Sequence, residues 1–253
     1  MKLKGKVAIV TGAGRGIGRA TALALAREGA AVTLTARTRS EIESVADEVM
    51  GLGAQALPVA GDVASESDVG EMVDRTLANF DRIDILVNNA GTGIPFKAVV
   101  DLPLETWTRI LEVNLTSAFL CAKAVLPIMM RQHSGKIVNV ASIGGRMGVA
   151  GNSAYGAAKA GLINFSACLA AEVKAFGIDV NTVCPSGTDT RLIHDIGRGK
   201  GRTNLSTPED IANVIVFLAG PDSAAVTGTV IDAYGLSNPL FGPIVTSDRK
   251  EHA

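Results

Sequence analysis

Residues 7–18 read VAIVTGAGRGIG, an apolar, β-branched run that passes without a break into Gly12, Gly14, Gly16 and Gly18. A strand that ends in such a loop and opens a helix is the setting in which glycines mark a phosphate site. Gly12 permits a tight turn, Gly16 lets the backbone approach a pyrophosphate, and Gly18 allows close helix packing. The helix N-terminus adds unpaired N–H groups and positive potential. The spacing is Gly-x-x-x-Gly-x-Gly, with Ile17 between the last two glycines.

Working outward, apolar runs at 7–10, 31–35, 56–59, 83–87, 136–140, 179–184 and 230–231 alternate with longer segments of helical period. This is the rhythm of β-α-β units. Most of the runs lack in/out alternation, which fits a parallel sheet covered by helices on both faces. The expected fold is therefore α/β: a doubly wound, seven-stranded parallel sheet of the Rossmann type, forming one domain over residues 1–253. Ser40 with Glu43 and Ser65 with Asp68 read as helix starts, and Gly29, Gly51 and Gly177 as helix ends. The longest helices are expected over about 106–131 and 152–176, and irregular chain over 197–202 and in a tail over 239–253.

Composition limits the function classes. A chain of 253 residues with 47% hydrophobic content can fill one sizeable core. A net charge of −1 provides no basic field for nucleic acid or an anionic membrane. Cys121, Cys168 and Cys184 are odd in number and far apart, without a C-x-x-C pair, and His133, His194 and His252 do not cluster. A reducing, cytoplasmic setting without a structural metal follows. The apolar run after the basic start is too short for a signal-peptide core, and no stretch approaches ~18 uninterrupted apolar residues.

Tyr155 and Lys159 stand four apart in the helix expected over 152–176, and so share one helix face. An ammonium beside a phenol favours its ionised form, and a phenol titrating unaided at ~10 would be a poor base at neutral pH. At the end of the second strand, where an acidic residue would bind ribose hydroxyls, the chain reads Thr35, Ala36, Arg37. The Arg37 guanidinium can bind a 2′-phosphate bidentately, and Arg15 in the glycine loop can approach it from the other side. Together they favour NADP(H) over NAD(H), although either arginine alone is equally a solvated surface charge.

TGAGRGIG at 11–18, NNAG at 88–91, Asn114, Ser142 and YGAAK at 155–159 resemble the short-chain dehydrogenase/reductase (SDR) family over residues 5 to about 235. Within it the chain is similar to 3-oxoacyl-(acyl carrier protein) reductases, and equally to family enzymes with other substrates. The resemblance puts a catalytic tetrad on Asn114, Ser142, Tyr155 and Lys159. It puts adenine contacts on Asp62 and Val63, and cofactor contacts on Asn89, Ala90 and Gly91. Pro185, Thr188 and Thr190 fall near the nicotinamide, where Ser186 departs from the usual Pro-Gly. The usual Asp-Gly-Gly by the last strand is replaced by Ala233, Tyr234 and Gly235.

The resemblance implies carbonyl reduction without a metal. Ser142 binds the substrate carbonyl, Tyr155 delivers the proton, Lys159 binds the ribose and lowers the phenol's pKa, and Asn114 holds a water. It also implies a homotetramer or homodimer and a substrate lid over 190–207. Taken singly, each tetrad residue has a plain structural reading in packing or at the surface. The lid contains Arg198, Lys200 and Arg202, either a solvated loop or a receiver for an anionic, carrier- or CoA-linked substrate. Ile94, Pro95, Phe96, Met147 and Val149 are the expected apolar pocket residues, with Arg146 and Asn152 polar among them. A rival of a different class is a catalytically inactive dinucleotide-binding regulatory or scaffold protein of the same fold.

Overall fold

A computed structural model describes residues 1–94, 96–197 and 204–235. Seven parallel strands form one sheet: β1 (Val7–Thr11), β2 (Ala31–Ala36), β3 (Ala56–Ala60), β4 (Ile85–Asn88), β5 (Gly135–Val140), β6 (Ile178–Pro185) and β7 (Val230–Ala233). Their order across the sheet is β3-β2-β1-β4-β5-β6-β7. Crossover helices α1 (Gly16–Arg27), α2 (Arg39–Gly51), α3 (Glu66–Phe80), α4 (Leu104–Leu111), α5 (Ser117–Gln132), α6 (Ser153–Val173) and α8 (Pro208–Ala219) cover both faces, and a short α7 (Arg191–Asp195) follows β6. The expected doubly wound fold is the observed one.

Continuous apolar strands are explained by a core on each side of the sheet. Ala8 and Val10 of β1 join α1, α2 and α8 through Leu25, Val45 and Ile215, while Ile9 between them joins α3 and α5 through Met72 and Val125. Alternate side chains feed opposite layers, and both must be apolar. Winding proceeds outward in two directions from β1 and β4, so the loops after these strands diverge and leave a crevice at their carboxyl ends.

Local signals were read with mixed success. Ser65 caps α3, its hydroxyl accepting from the Asp68 N–H. Ser40, by contrast, lies inside the first turn of α2, whose N-cap is Thr38. Gly51 is the last helical residue of α2, and the left-handed turn falls on Gly53, with φ +81°. The segment expected as one helix over 106–131 is longer, from 104 to 132, and carries a π-turn at Glu112–Thr116. Its length and mean hydropathy of 1.6 would suffice for a membrane span. Its buried side, with Cys121, Val125 and Met129, instead packs against the sheet as a core helix.

Candidate active site

A cleft of about 680 Å³ runs along the carboxyl ends of β1, β4, β5 and β6. One end is a cradle of backbone. Gly12 and Gly16 adopt φ +64° and +53°, conformations that suit glycine. A Cβ on Gly18 would lie 2.2 Å from the Gly12 carbonyl oxygen, so α1 can approach the loop only with glycine there. The first turn of α1 holds no acidic residue of its own, so the N–H groups of Gly16, Ile17 and Gly18 present the positive end of the helix. These features fit an anionic pyrophosphate.

Thr11 ties this cradle to the loop after β4. Its hydroxyl accepts from the N–H groups of Asn89 (3.0 Å) and Ala90 (2.9 Å). The Asn89 side chain donates back to the carbonyls of Thr11 and Gly12. The Asn89 amide therefore fastens two loops together, and Asn89, Ala90 and Gly91 line the cleft between the two ends.

Arg15, Arg37, Asp62 and Val63 also line the cleft. Arg37 is exposed. Arg15 already has a partner, for its Nη1 lies 3.3 Å from Glu41 Oε1. Asp62 accepts from the Ala64 N–H and, at 2.7 Å, from Arg109 Nη2. Partial burial pushes its carboxyl up, yet the Ala64 amide and the Arg109 guanidinium hold it below the usual carboxylate range. Glu41 and Arg109 line the cleft and were not singled out from the sequence. Glu41 had a visible cue, an acidic residue one helical turn past Arg37. Arg109 had none, since its contact with Asp62 spans 47 residues.

At the other end the structure brings Asn114, Ser142, Tyr155 and Lys159 together. Ser142 follows β5 in extended backbone, and its hydroxyl accepts from the Gly144 N–H at 3.0 Å. The Cβ position of Gly144 lies 3.5 Å from both the Ser142 Oγ and the Tyr155 ring, which places these two side chains on either side of one small space. Lys159 is 3% exposed and donates to the Val140 carbonyl at 2.8 Å. Burial pushes its ammonium down to about 8.

The expected lowering of the phenol by Lys159 is absent from this state. Burial raises Tyr155, and the Ser142 hydroxyl alone pulls the other way. The geometry explains it, because the ammonium lies over the ring, 5.8 Å from its centroid, and faces Val140 rather than the hydroxyl.

Asn114 sits in the π-turn and is 1% exposed. Its amide accepts from the Thr92 N–H and donates to the carbonyls of Thr92 and Ile110. It thereby pins the β4–α4 loop beside Lys159, for a Cβ on Gly91 would sit 3.0 Å from Asn114 Oδ1 and 3.6 Å from Lys159 Nζ.

Pro185 ends β6, and Ser186, Gly187, Thr188 and Thr190 continue along the cleft. Thr190 packs against the glycine loop, 3.2 Å from where a Cβ on Gly16 would be. Ile94, Phe96, Met147, Val149 and Asn152 line the same cleft. Arg146 does not. The turn over 143–145 carries it away, and its Nε lies 3.3 Å from Asp232 Oδ1 on β7. Pro95, Arg198, Lys200, Arg202 and the tail over 239–253 lie outside the described residues.

The sequence model of the short chain dehydrogenase family matches residues 6–201. A 3-oxoacyl-(acyl-carrier-protein) reductase of Synechocystis is 38% identical over 92% of this chain and 97% of that protein. A cis-4-hydroxycyclohexanecarboxylate dehydrogenase of Sinomonas cyclohexanicum is 39% identical over 91% of this chain and 95% of its own length. Among solved structures, a short-chain type dehydrogenase/reductase from Mycobacterium marinum superposes with a TM-score of 0.89 at 33% identity, covering 94% of this chain and 97% of that one.

Proposed function

The chain belongs to the short-chain dehydrogenase family, and from that premise we propose that it reduces a ketone with NADPH, Tyr155 acting as general acid. The same site run in reverse oxidises a secondary alcohol. One observation carries the reading: Ser142, Tyr155 and Lys159 line one cleft together with a glycine cradle suited to an anion.

The residues present fit a nicotinamide dinucleotide. The backbone of Gly12, Arg15, Gly16, Ile17 and Gly18 would hold the pyrophosphate, and Arg15 and Arg37 a 2′-phosphate. Asp62 and Val63 would hold the adenine, and Asn89, Ala90 and Gly91 the middle of the molecule. Tyr155 and Lys159 would hold the nicotinamide ribose, and Pro185, Thr188 and Thr190 the nicotinamide itself. When bound, this group supplies the hydride that adds to the carbonyl carbon.

The chain's own residues manage the oxygen. Ser142 donates a hydrogen bond to it, and Tyr155, kept a phenol by burial, passes it a proton. Lys159 and Asn114 stand behind the phenol as the route by which it regains that proton. Positioned proton transfer of this kind contributes ~10²–10⁴ in rate.

The substrate end is apolar at Ile94, Phe96, Met147 and Val149, with Asn152 the polar exception. This suits a small or cyclic ketone, or the acyl part of a carrier- or CoA-linked one, beneath a lid over 190–207. A cytoplasmic homodimer or homotetramer is the proposed form, consistent with the free thiols of Cys121, Cys168 and Cys184.

The test is NADPH consumption across a panel of acyl thioesters and cyclic ketones, repeated with Tyr155→Phe. Turnover with at least one substrate, reduced more than about tenfold in the variant while NADPH still binds within a few-fold, is the expected result. Binding without turnover across the panel would favour the regulatory rival, and a variant retaining more than about a tenth of the activity would remove Tyr155 as the acid.

A further inference from the structure

The end of β2 lacks the carboxylate that would disfavour a 2′-phosphate, but the folded chain supplies one from the next helix. Glu41 stands in the first turn of α2 and leans back over the glycine loop. A Cβ on Gly14 would lie 2.8 Å from the Glu41 Cβ and 3.0 Å from its Oε2, so the absence of a side chain at Gly14 is what admits Glu41. Its Oε1 lies 3.3 Å from Arg15 Nη1 and 3.7 Å from Arg191 Nη1 on α7. The carboxylate is the sheltered member of this trio, 29% exposed against 53% and 61% for the arginines. All three line the same cleft as Arg37.

We propose that Glu41 is a cofactor-selectivity residue, which narrows the preference for NADP(H) that Arg15 and Arg37 would set by themselves. The inference rests on the reading of the cleft as a nicotinamide dinucleotide site. A phosphate dianion drawn to Arg15 must take that arginine from Glu41 and then sit near a carboxylate that only Arg191 still partly offsets. A ribose with a free 2′-hydroxyl meets the same carboxylate as a hydrogen-bond acceptor. The two negative charges, phosphate and carboxylate, repel one another. Partial exposure and salt reduce this, leaving an effect of about tenfold in affinity. Arg191 offsets part of the same charge from the α7 side, so its removal should strengthen the discrimination against a 2′-phosphate.

The experiment is a direct binding titration of NADPH and NADH, by nicotinamide fluorescence, on the wild type, Glu41→Gln and Arg191→Gln, with melting curves recorded without nucleotide. Glu41→Gln is expected to tighten NADPH about tenfold while NADH is unchanged or weaker, and Arg191→Gln to shift the NADPH/NADH ratio the other way, toward NADH. A ratio unchanged within about twofold in Glu41→Gln overturns the proposal. So does weaker NADPH binding in that variant, because Glu41 would then be holding Arg15 in its working position. A wild type that binds neither nucleotide would instead overturn the reading of the cleft, and this inference with it.

Discussion

Lys159 is held against its own ionisation. Its ammonium is buried against the Val140 carbonyl, and burial brings its folded pKa down to about 8, below the ordinary lysine value of 10.5. Between these two values the unfolded chain binds a proton that the folded chain does not, so the stability contributed at this residue rises with pH across that window. Below about 8 the folded protein carries the buried charge at full cost, of no more than about 3 kcal/mol. Comparing melts of the wild type and Lys159→Met cancels the other titrating groups. The wild type should gain on the variant from pH 8 to 10, and a pH-independent difference would mean that the ammonium is not held in a desolvated site. Tyr155 acts in the opposite sense only above ~10, because burial raises its folded pKa. Among single residues, Tyr155 and Lys159 could be set on one helix face from their spacing alone, whereas Asn114 and Ser142 rested on the family resemblance; all four line one cleft. Glu41 and Arg109 were not legible, because what they do depends on partners 26 and 47 residues away.

Helices and turns were legible where a side chain closes its own backbone and less so where the backbone alone decides. Ser65 could be read because its hydroxyl meets the Asp68 N–H three residues on. Thr38 caps α2 without a side-chain hydrogen bond, and Ser40 looked the better candidate. The π-turn at Glu112–Thr116 has no composition signal, yet it sets Asn114 against Thr92. Glycines separate in the same way, by what surrounds them. Gly18 and Gly70 both lie in helices, α1 and α3. A Cβ on Gly18 would strike the Gly12 carbonyl at 2.2 Å, whereas nothing stands within 4 Å of one on Gly70. Gly18→Ala should cost about 1–3 kcal/mol by overpacking and weaken dinucleotide binding by displacing the cradle. Gly70→Ala should stabilise α3 by about 0.5–1 kcal/mol through its lost unfolded-state freedom. Thermal melts resolve the two, since ~1 kcal/mol moves the midpoint by roughly 2–4 °C in a chain of this size. Equal effects of one sign would refute the steric account of the glycine loop.

The whole architecture was the most legible level, because seven apolar runs spaced by helical segments admit few arrangements and right-handed crossovers prune most of those. What no local pattern states is which surfaces remain open once the sheet is wound. The outer side of α6 is one of them: Ala157, Ala160, Asn164, Ala167, Cys168 and Ala171 are exposed and uncharged, with Glu172 near the C-terminal end the one exposed charge on the helix. A helix apolar on both sides is ordinarily covered on both. Beside it, Phe119 of α5 is 45% exposed and meets Phe165 of α6 edge to face, with ring centroids 6.3 Å apart. Small side chains let a second helix approach closely, an exposed aromatic pair adds area to bury, and a net charge of −1 gives two copies little reason to repel. This face is therefore expected to hold the proposed oligomer together. Ala167→Arg would set a long cation against its counterpart in the partner. Light scattering should then find a mass reduced to the monomer, or a dissociation constant raised at least about tenfold, with helix content by circular dichroism unchanged. An undiminished oligomer mass in Ala167→Arg would move the interface elsewhere, and a wild type that is already monomeric would leave the apolar side of α6 without the partner this argument requires.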